Sequence, residues 1–365
     1  MKAATRVVSP PALKGPTYPS SLNSRIRRSW KPECGKSRAS KSNHHSLASQ
    51  SLSDKWMEVQ GIRNWEGLLD PLDNTLRDEI LRYGDFVEAA YRAFFNSNET
   101  LRVPRGYTVT RSLHATCGAH LPGWAAAHLP SWASARSALI GYVAVCTDPD
   151  EIARLGRRDV VVAYRGTGTC MEWAENLRMG LAGVGEMAKV QRGFLSMYTT
   201  QGEGEDGQPS LRDEVRDEVA RVVARYGGDV SVTVTGHSLG AALATLTGHD
   251  IRKEFGGMVT VVSFAGPRIG NKAFRKELEK NGTRVLRIVN AGDPVTKVPG
   301  FVLNDSMRWM EGTEWVYAEI GKELRLSSRS GGVATCHDLK TYLNLLHNCP
   351  LRRRVLSPTH QELVC

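Results

Sequence analysis

The stretch VTVTGHSLGAALATL, residues 232–246, changes from one local pattern to another at a single serine. Its β-branched start is typical of a buried strand, and the small residues that follow suit a helix packed closely on a sheet. Gly236 and Gly240 flank Ser238 in a G-x-S-x-G motif. Because glycine costs chain entropy in either element, the pair indicates a turn too tight for side chains. The stretch predicts a strand, a strained turn presenting Ser238, and a helix whose N-terminus favours negative charge there. A chance match to the motif is the alternative.

Segments on both sides of this turn alternate between strand-like and helix-like patterns. Two short β-branched runs, ALIGYVAVC (138–146) and DVVVAYRG (159–166), come first. An amphipathic segment, SLRDEVRDEVARVVARYG (210–227), is opened by a serine and closed by glycine, as a helix would be. Strand-like and helix-like runs then follow in turn up to RVLRIVN (284–290). This order predicts an α/β fold with a mostly parallel sheet flanked by helices.

The net charge of +10 is concentrated at the front of the chain. Residues 1–53 carry ten Lys and Arg against one acid and contain twelve serines, whereas the other 312 residues hold 38 bases and 37 acids. Such a segment cannot build a packed core. An arm for nucleic acid and a plain disordered tail are two interpretations. We favour a third, a transit peptide for the plastid, with the mitochondrion second, because the segment is rich in Arg and Ser and poor in acids.

The remaining composition limits the class of protein. The longest apolar runs reach about ten residues, whereas a membrane-spanning helix needs roughly 20. Seven scattered cysteines form no CxxC pair, which argues against a disulfide framework and a zinc site. We therefore expect no membrane span, no nucleic-acid partner and no metal. Three regions are predicted: the transit segment (1–53), an ordered domain (54–350) whose first part (54–135) is helical, and a loose tail (351–365).

A serine hydroxyl needs a base, and the base needs an orienting acid. When the nucleophile lies on a strand-turn-helix motif of this kind, the acid and then the histidine follow it along the chain. Asp293, in RVLRIVNAGDPVTKVPG (284–300), comes three residues after a predicted strand. His337, in TCHDLKTYLNLL (335–346), lies on a loop just before an amphipathic helix. An ordinary turn aspartate and a capping or packing histidine are the alternatives. His237, next to the serine, is discounted because it cannot reach the hydroxyl.

Backbone N–H groups must also stabilise the negative charge that develops on the carbonyl oxygen of the substrate. One is expected at Leu239, directly after the serine. The second is expected at Thr167, in the loop that ends VVVAYRGTGT (160–169), although a simple glycine turn is the alternative.

Six ordered segments carry a resemblance: AYRGTGTCMEWAENL (163–177), VQRGFLSMY (190–198), GHSLGAALATL (236–246), FAGPRIGN (264–271), IVNAGDPVTKVPG (288–300) and CHDLKTYLNLL (336–346). Together they resemble the class 3 (triacylglycerol-type) lipases. The opening WMEVQGIRNWEGLLDPLDNTLRDEILRYGDFVEAAY (56–91) is similar to the plant plastid phospholipases A1 among them. The resemblance covers about residues 55–348.

The resemblance implies an α/β-hydrolase fold, a triad of Ser238, Asp293 and His337, and no cofactor. It implies hydrolysis of glycerolipid acyl esters, chiefly at the sn-1 position of phospholipids and galactolipids at a membrane or lipid-droplet surface, with triacylglycerol as a further substrate. The released fatty acid could feed jasmonate synthesis. It also indicates a lid helix within TCMEWAENLRMGLAG (169–183), with Met171, Trp173 and Leu177 on its apolar side; a permanently packed surface helix is the alternative.

Two other functions remain open on the sequence alone. A carboxylesterase for small soluble esters would share every catalytic residue, and a catalytically silent receptor could use the pocket to bind a hormone-like acid.

Overall fold

The computed structural model describes residues 51–95, 101–116, 137–167, 180–202, 208–227, 230–302, 309–328 and 332–349. Nearly all of the predicted transit segment lies outside these ranges. The predicted tail and the three lid residues Met171, Trp173 and Leu177 also lie outside them.

A seven-stranded sheet forms the centre of the described part of the chain. Its strands are β1 (Tyr107–Thr116), β2 (Ser137–Cys146), β3 (Arg158–Tyr164), β6 (Val230–His237), β7 (Val259–Phe264), β8 (Arg284–Asn290) and β11 (Lys322–Leu326). They lie in the order β1-β2-β3-β6-β7-β8-β11. The pairs β1–β2 and β2–β3 are antiparallel and the pairs from β3 to β11 are parallel. The carboxyl ends of the last five strands therefore meet at one edge, where α/β sheets place their sites.

Two small two-stranded sheets lie outside this one. The first pairs β4 (Leu181–Gly183) with β5 (Lys189–Gln191), and the second pairs β9 (Phe301–Val302) with β10 (Val316–Tyr317).

Helices cover both faces of the sheet. They are α1 (Leu52–Val59), α2 (Asn74–Phe95), α3 (Pro149–Leu155), α4 (Arg192–Thr199), α5 (Leu211–Tyr226), α6 (Leu239–Phe255), α7 (Lys272–Asn281), α8 (Val333–His337) and α9 (Leu339–His347). One apolar core packs α4 to α7 on the first face, and a second packs α1, α2 and α9 on the opposite face. The predicted mostly parallel sheet flanked by helices is confirmed. Within the described ranges, no helix combines the length and the apolarity that crossing a bilayer would require.

The segment expected to be helical, residues 54–135, also contains a strand of the main sheet. Besides α1 and α2 it holds β1, which pairs with β2 along its whole length. Helix α5 begins and ends where its sequence predicts: the Ser210 hydroxyl accepts a hydrogen bond from the Asp213 N–H at 3.2 Å, and Gly227 follows its last residue.

Candidate active site

Ser238 lies in a strained turn between β6 and α6. Its backbone angles are φ 57° and ψ −121°, a region that L-residues rarely adopt. The flanking glycines make this turn possible. A Cβ on Gly236 would lie 2.3 Å from the backbone of Gly240, and a Cβ on Gly240 would lie 2.5 Å from the carbonyl oxygen of Arg165. The turn therefore points the serine toward the carboxyl edge of the sheet and sets its helix against β3.

The structure brings the three predicted side chains together from distant parts of the chain. His337 Nε2 lies 2.8 Å from Ser238 Oγ, and His337 Nδ1 lies 2.7 Å from Asp293 Oδ2. All three are buried, with Asp293 fully so. With the His337 Nδ1–H donated to the carboxylate, Nε2 is the acceptor for the Ser238 O–H. This is the geometry that a general base needs.

Asp293 is held by two further donors. The Val295 N–H donates to its Oδ1 at 2.9 Å, and the Tyr342 hydroxyl on α9 donates to its Oδ2 at 2.7 Å. The Asn290 N–H in turn donates to the Tyr342 oxygen at 3.0 Å. Burial and the neighbouring Asp293 charge raise the pKa of Tyr342, so this hydroxyl stays protonated. The carboxylate is thereby fixed toward the imidazole.

His337 ends the five-residue helix α8 instead of lying on an open loop. Asp338 follows it and caps α9, its carboxylate accepting from the Thr341 N–H at 3.3 Å. The side chain of Asn290, at the end of β8, donates to the Cys336 carbonyl at 3.0 Å. The same strand end that precedes Asp293 thus anchors the backbone that carries the histidine.

The two predicted oxyanion donors flank the serine. Leu239 is the first residue of α6. Thr167 follows Gly166 in the loop after β3, beside the turn that carries Ser238. A Cβ on Gly166 would lie 3.1 Å from Ser238 Cβ. The loop after β3 therefore runs alongside the nucleophile, as a second donor requires; the donor roles themselves stay predictions.

His237 is not a base for Ser238, but the structure shows a different set of contacts for its ring. His237 Nε2 lies 2.8 Å from the carbonyl oxygen of His337, and Nδ1 lies 2.8 Å from the Tyr91 hydroxyl. Burial and the neighbouring His337 ring lower the pKa of His237 to about 3, so the ring is neutral. Sequence reasoning missed Tyr91 and Tyr342, because neither occurs in a motif with its partner.

The described residues contain no cluster of three or more His, Cys, Asp or Glu side chains that could hold a metal ion. The expected absence of a metal and a cofactor stays a prediction.

Comparisons with known proteins agree with the resemblance seen in the sequence. The family described as lipase (class 3) matches residues 161–303. The chloroplastic phospholipase A1 named DAD1 of Arabidopsis thaliana is 50% identical, over 84% of this chain and 80% of that protein. The chloroplastic galactolipase DONGLE of Arabidopsis thaliana is 37% identical, over 81% of this chain and 70% of that protein.

Among solved structures, lipase II from Rhizopus niveus has a TM-score of 0.49 and 20% identity, covering 70% of this chain and 82% of that chain. At 50% identity to a phospholipase A1 over four fifths of that protein's length, this chain belongs to the class 3 lipase family, within the group of plant phospholipases A1.

Proposed function

We propose that this chain is a serine hydrolase that cleaves acyl esters of glycerolipids, with Ser238 as nucleophile, His337 as general base and Asp293 as the orienting acid. The observation that carries the proposal is the continuous hydrogen-bonded arrangement of these side chains, at 2.8 Å and 2.7 Å. The lipid substrate class is supported by the family and by the phospholipase and galactolipase relatives.

The geometry supports a two-stage reaction. His337 Nε2 takes the Ser238 proton as Oγ attacks the ester carbonyl, and the N–H groups of Thr167 and Leu239 stabilise the oxyanion. The tetrahedral intermediate breaks its bond to the glycerol oxygen, which receives the proton from His337 and leaves as lysolipid. Water then gives a proton to His337 and attacks the acyl-serine. Collapse releases the fatty acid and returns the proton to Ser238 Oγ.

Five finer points belong to the same proposal. The enzyme acts at a membrane or lipid-droplet surface and at the sn-1 ester. A lid over residues 169–183, with Met171, Trp173 and Leu177 on its apolar side, gates access. It works in the plastid, which the basic, Ser-rich residues 1–53 and the chloroplastic relatives support. The released polyunsaturated fatty acid feeds jasmonate synthesis; this point rests on the resemblance alone.

The test incubates the full-length chain with liposomes of mixed phosphatidylcholine and galactolipids that carry different acyl chains at sn-1 and sn-2. Mass spectrometry of the lysolipids identifies both the head group and the position attacked. Ser238→Ala is the control and should lower the rate at least about a thousandfold. Lysolipids formed at an unchanged rate by Ser238→Ala would rule out the assigned nucleophile.

A second measurement separates a lipase from an esterase for small soluble esters. The rate is followed as a short-chain ester passes its critical micelle concentration. A lipase gains rate at that point because its substrate enters an aggregate, whereas a simple esterase does not. A folded protein that neither hydrolyses lipid nor reacts with a fluorophosphonate at Ser238 would instead support a silent receptor.

A further inference from the structure

Gly166 is held at both of its peptide groups. Its N–H donates to the Tyr91 hydroxyl oxygen at 2.9 Å, and its carbonyl oxygen accepts from Arg165 Nη1 at 2.7 Å. The space around it is closed: a Cβ there would lie 2.5 Å from the Tyr91 hydroxyl. The loop that leaves β3 is therefore fixed at this residue on two sides.

The carbonyl held by Arg165 belongs to the peptide group whose N–H is that of Thr167. This peptide is trans, so its N–H and C=O point in opposite directions within one plane. Fixing the carbonyl therefore fixes the direction of the Thr167 N–H. A charged donor on the carbonyl also polarises the peptide and strengthens its N–H as a donor.

Arg165 is placed for this task. Only 3% of the residue is exposed, and its Nε donates to the Leu139 carbonyl at 2.8 Å while its guanidinium lies 3.5 Å from the centre of the Phe94 ring. Burial lowers its pKa to about 10, so it is charged at neutral pH. Burial and Tyr91 are the influences on that pKa, and no carboxylate of the described residues is among them. Burying a charge costs free energy. Here the charged guanidinium of Arg165 lies next to the loop that carries Thr167, the predicted oxyanion donor.

Tyr91 connects this loop to the catalytic histidine through His237. The His337 carbonyl can only accept, so His237 Nε2 carries the hydrogen. Because the His237 ring is neutral, its Nδ1 accepts, and the Tyr91 O–H donates to it at 2.8 Å. The Tyr91 oxygen is then the acceptor for the Gly166 N–H. One directed chain of hydrogen bonds thus runs from the loop after β3 to the backbone of His337.

We propose that Tyr91, Arg165 and His237 are positioning residues that set the oxyanion hole: Tyr91 and Arg165 hold the two peptide groups of Gly166 and so aim the Thr167 N–H, and His237 keeps that loop in register with His337. None of the three touches the reacting atoms. The inference rests on the proposed function, in which Thr167 and Leu239 supply the oxyanion donors.

The test compares two full-length variants that each lose one hydrogen-bonded tyrosine hydroxyl. Tyr91→Phe removes the link to Gly166 and His237. Tyr142→Phe is the matched control, because the Tyr142 hydroxyl donates to the Phe86 carbonyl of the same helix at 2.8 Å. On a soluble short-chain ester, Tyr91→Phe should lower kcat about 10- to 100-fold, as small misplacements of catalytic groups do, with KM changed less than about twofold. Tyr142→Phe should keep both constants within about twofold.

A transition-state analogue supplies the readout that a purely structural role would not change. A trifluoromethyl ketone forms a tetrahedral adduct with the serine and places an oxyanion in the hole, so its Ki should rise by the same factor as kcat/KM falls. Arg165→Lys keeps the charge but loses the planar fork, and it should follow the same relation. If Arg165→Lys does not fold, the comparison of Tyr91→Phe with Tyr142→Phe tests the inference by itself.

The outcomes separate this inference from the proposed function. A Tyr91→Phe enzyme that loses thermal stability as Tyr142→Phe does, yet keeps its kcat and its affinity for the ketone, would overturn the positioning role. If Ser238→Ala is inactive at the same time, only the inference fails. If Ser238→Ala hydrolyses the ester normally, the proposed function fails first.

Discussion

Replacing His237 by glutamine should reduce the acid sensitivity of the folded state. The folded protein holds the pKa of His237 at about 3, against 6.5 for an ordinary imidazole. Below pH 6.5 the unfolded chain therefore gains a proton that the folded chain does not take up until pH is near 3. The contribution of the neutral His237 ring to the unfolding free energy is fully present above pH 6.5 and is lost as the pH falls below that value. Between pH 7.5 and 5.0 this one group should cost the wild type about 2 kcal/mol of unfolding free energy.

The assay is urea unfolding of wild type and His237→Gln at several values of pH between 7.5 and 5.0. Glutamine does not titrate and can still offer an N–H where His237 Nε2 donates to the His337 carbonyl. The difference in unfolding free energy between the two proteins should thus shift by about 2 kcal/mol in favour of the variant toward acid pH. His249→Gln controls for replacing a buried histidine, because the His249 ring is also buried and also has two hydrogen-bond partners, Asp250 and Glu277, each at 3.2 Å. Parallel curves for wild type and His237→Gln would refute the neutral, buried ring and the hydrogen-bond directions deduced from it.

Three further substitutions test other parts of the structure. Asp159→Asn removes the carboxylate that Arg82 and Arg157 share and leaves Glu79 as their remaining acidic partner, so it should lower the unfolding free energy by about 3–5 kcal/mol, as measured by urea unfolding; a loss below about 1 kcal/mol would contradict this. Gly240→Ala forces a methyl group against backbone carbonyls at the end of β3, which cannot rotate away. The substitution should lower the unfolding free energy by about 1–3 kcal/mol, as followed by thermal melting. It should also lower kcat, as measured by ester hydrolysis. Tyr342→Phe removes a hydrogen bond to the Asp293 carboxylate, worth about 1.5–3 kcal/mol, and should lower kcat about 10- to 100-fold without a matching change in KM.

The triad side chains could be predicted because local chemistry dictates where each must occur. A nucleophile on a strained turn needs small neighbours, so Gly236 and Gly240 mark Ser238 in the sequence. An acid and a histidine on loops at the carboxyl edge of a parallel sheet must follow strands, and Asp293 lies three residues after β8. Each of these signals spans only a few residues, which is the range that a single sequence reports well.

The supporting residues could not be predicted, because they act across long separations in sequence. Tyr91 reaches His237 across 146 positions and Tyr342 reaches Asp293 across 49. A tyrosine on an apolar helix face is far more often a core residue, and its helical spacing does not reveal which polar atom its hydroxyl will meet. His237 was discounted for the correct reason, its failure to reach Ser238 Oγ, but its contact with the His337 backbone depends on the assembled fold.

The sequence was also least informative at the edges of the sheet. The central strands β3, β6 and β7 are continuous buried runs and are evident from composition. Strands β1 and β11 each have one neighbour, mix buried with half-buried and exposed positions and carry charged side chains. Polar residues on exposed edges protect a sheet from pairing with other chains, and the same residues weaken the strand signal.

Helix α2 gives the N-terminal part a role in the geometry of the site. Near its middle, Tyr83 contacts the fully buried Asp159 at the amino end of β3, and near its end Tyr91 holds Gly166 beyond the carboxyl end of that strand. The same helix therefore contacts both the buried ion-pair cluster at the amino end of β3 and the loop beside Ser238 at its carboxyl end. The N-terminal segment cannot be treated as an appendage to the lipase fold, because the position of the loop that carries Thr167 depends on it.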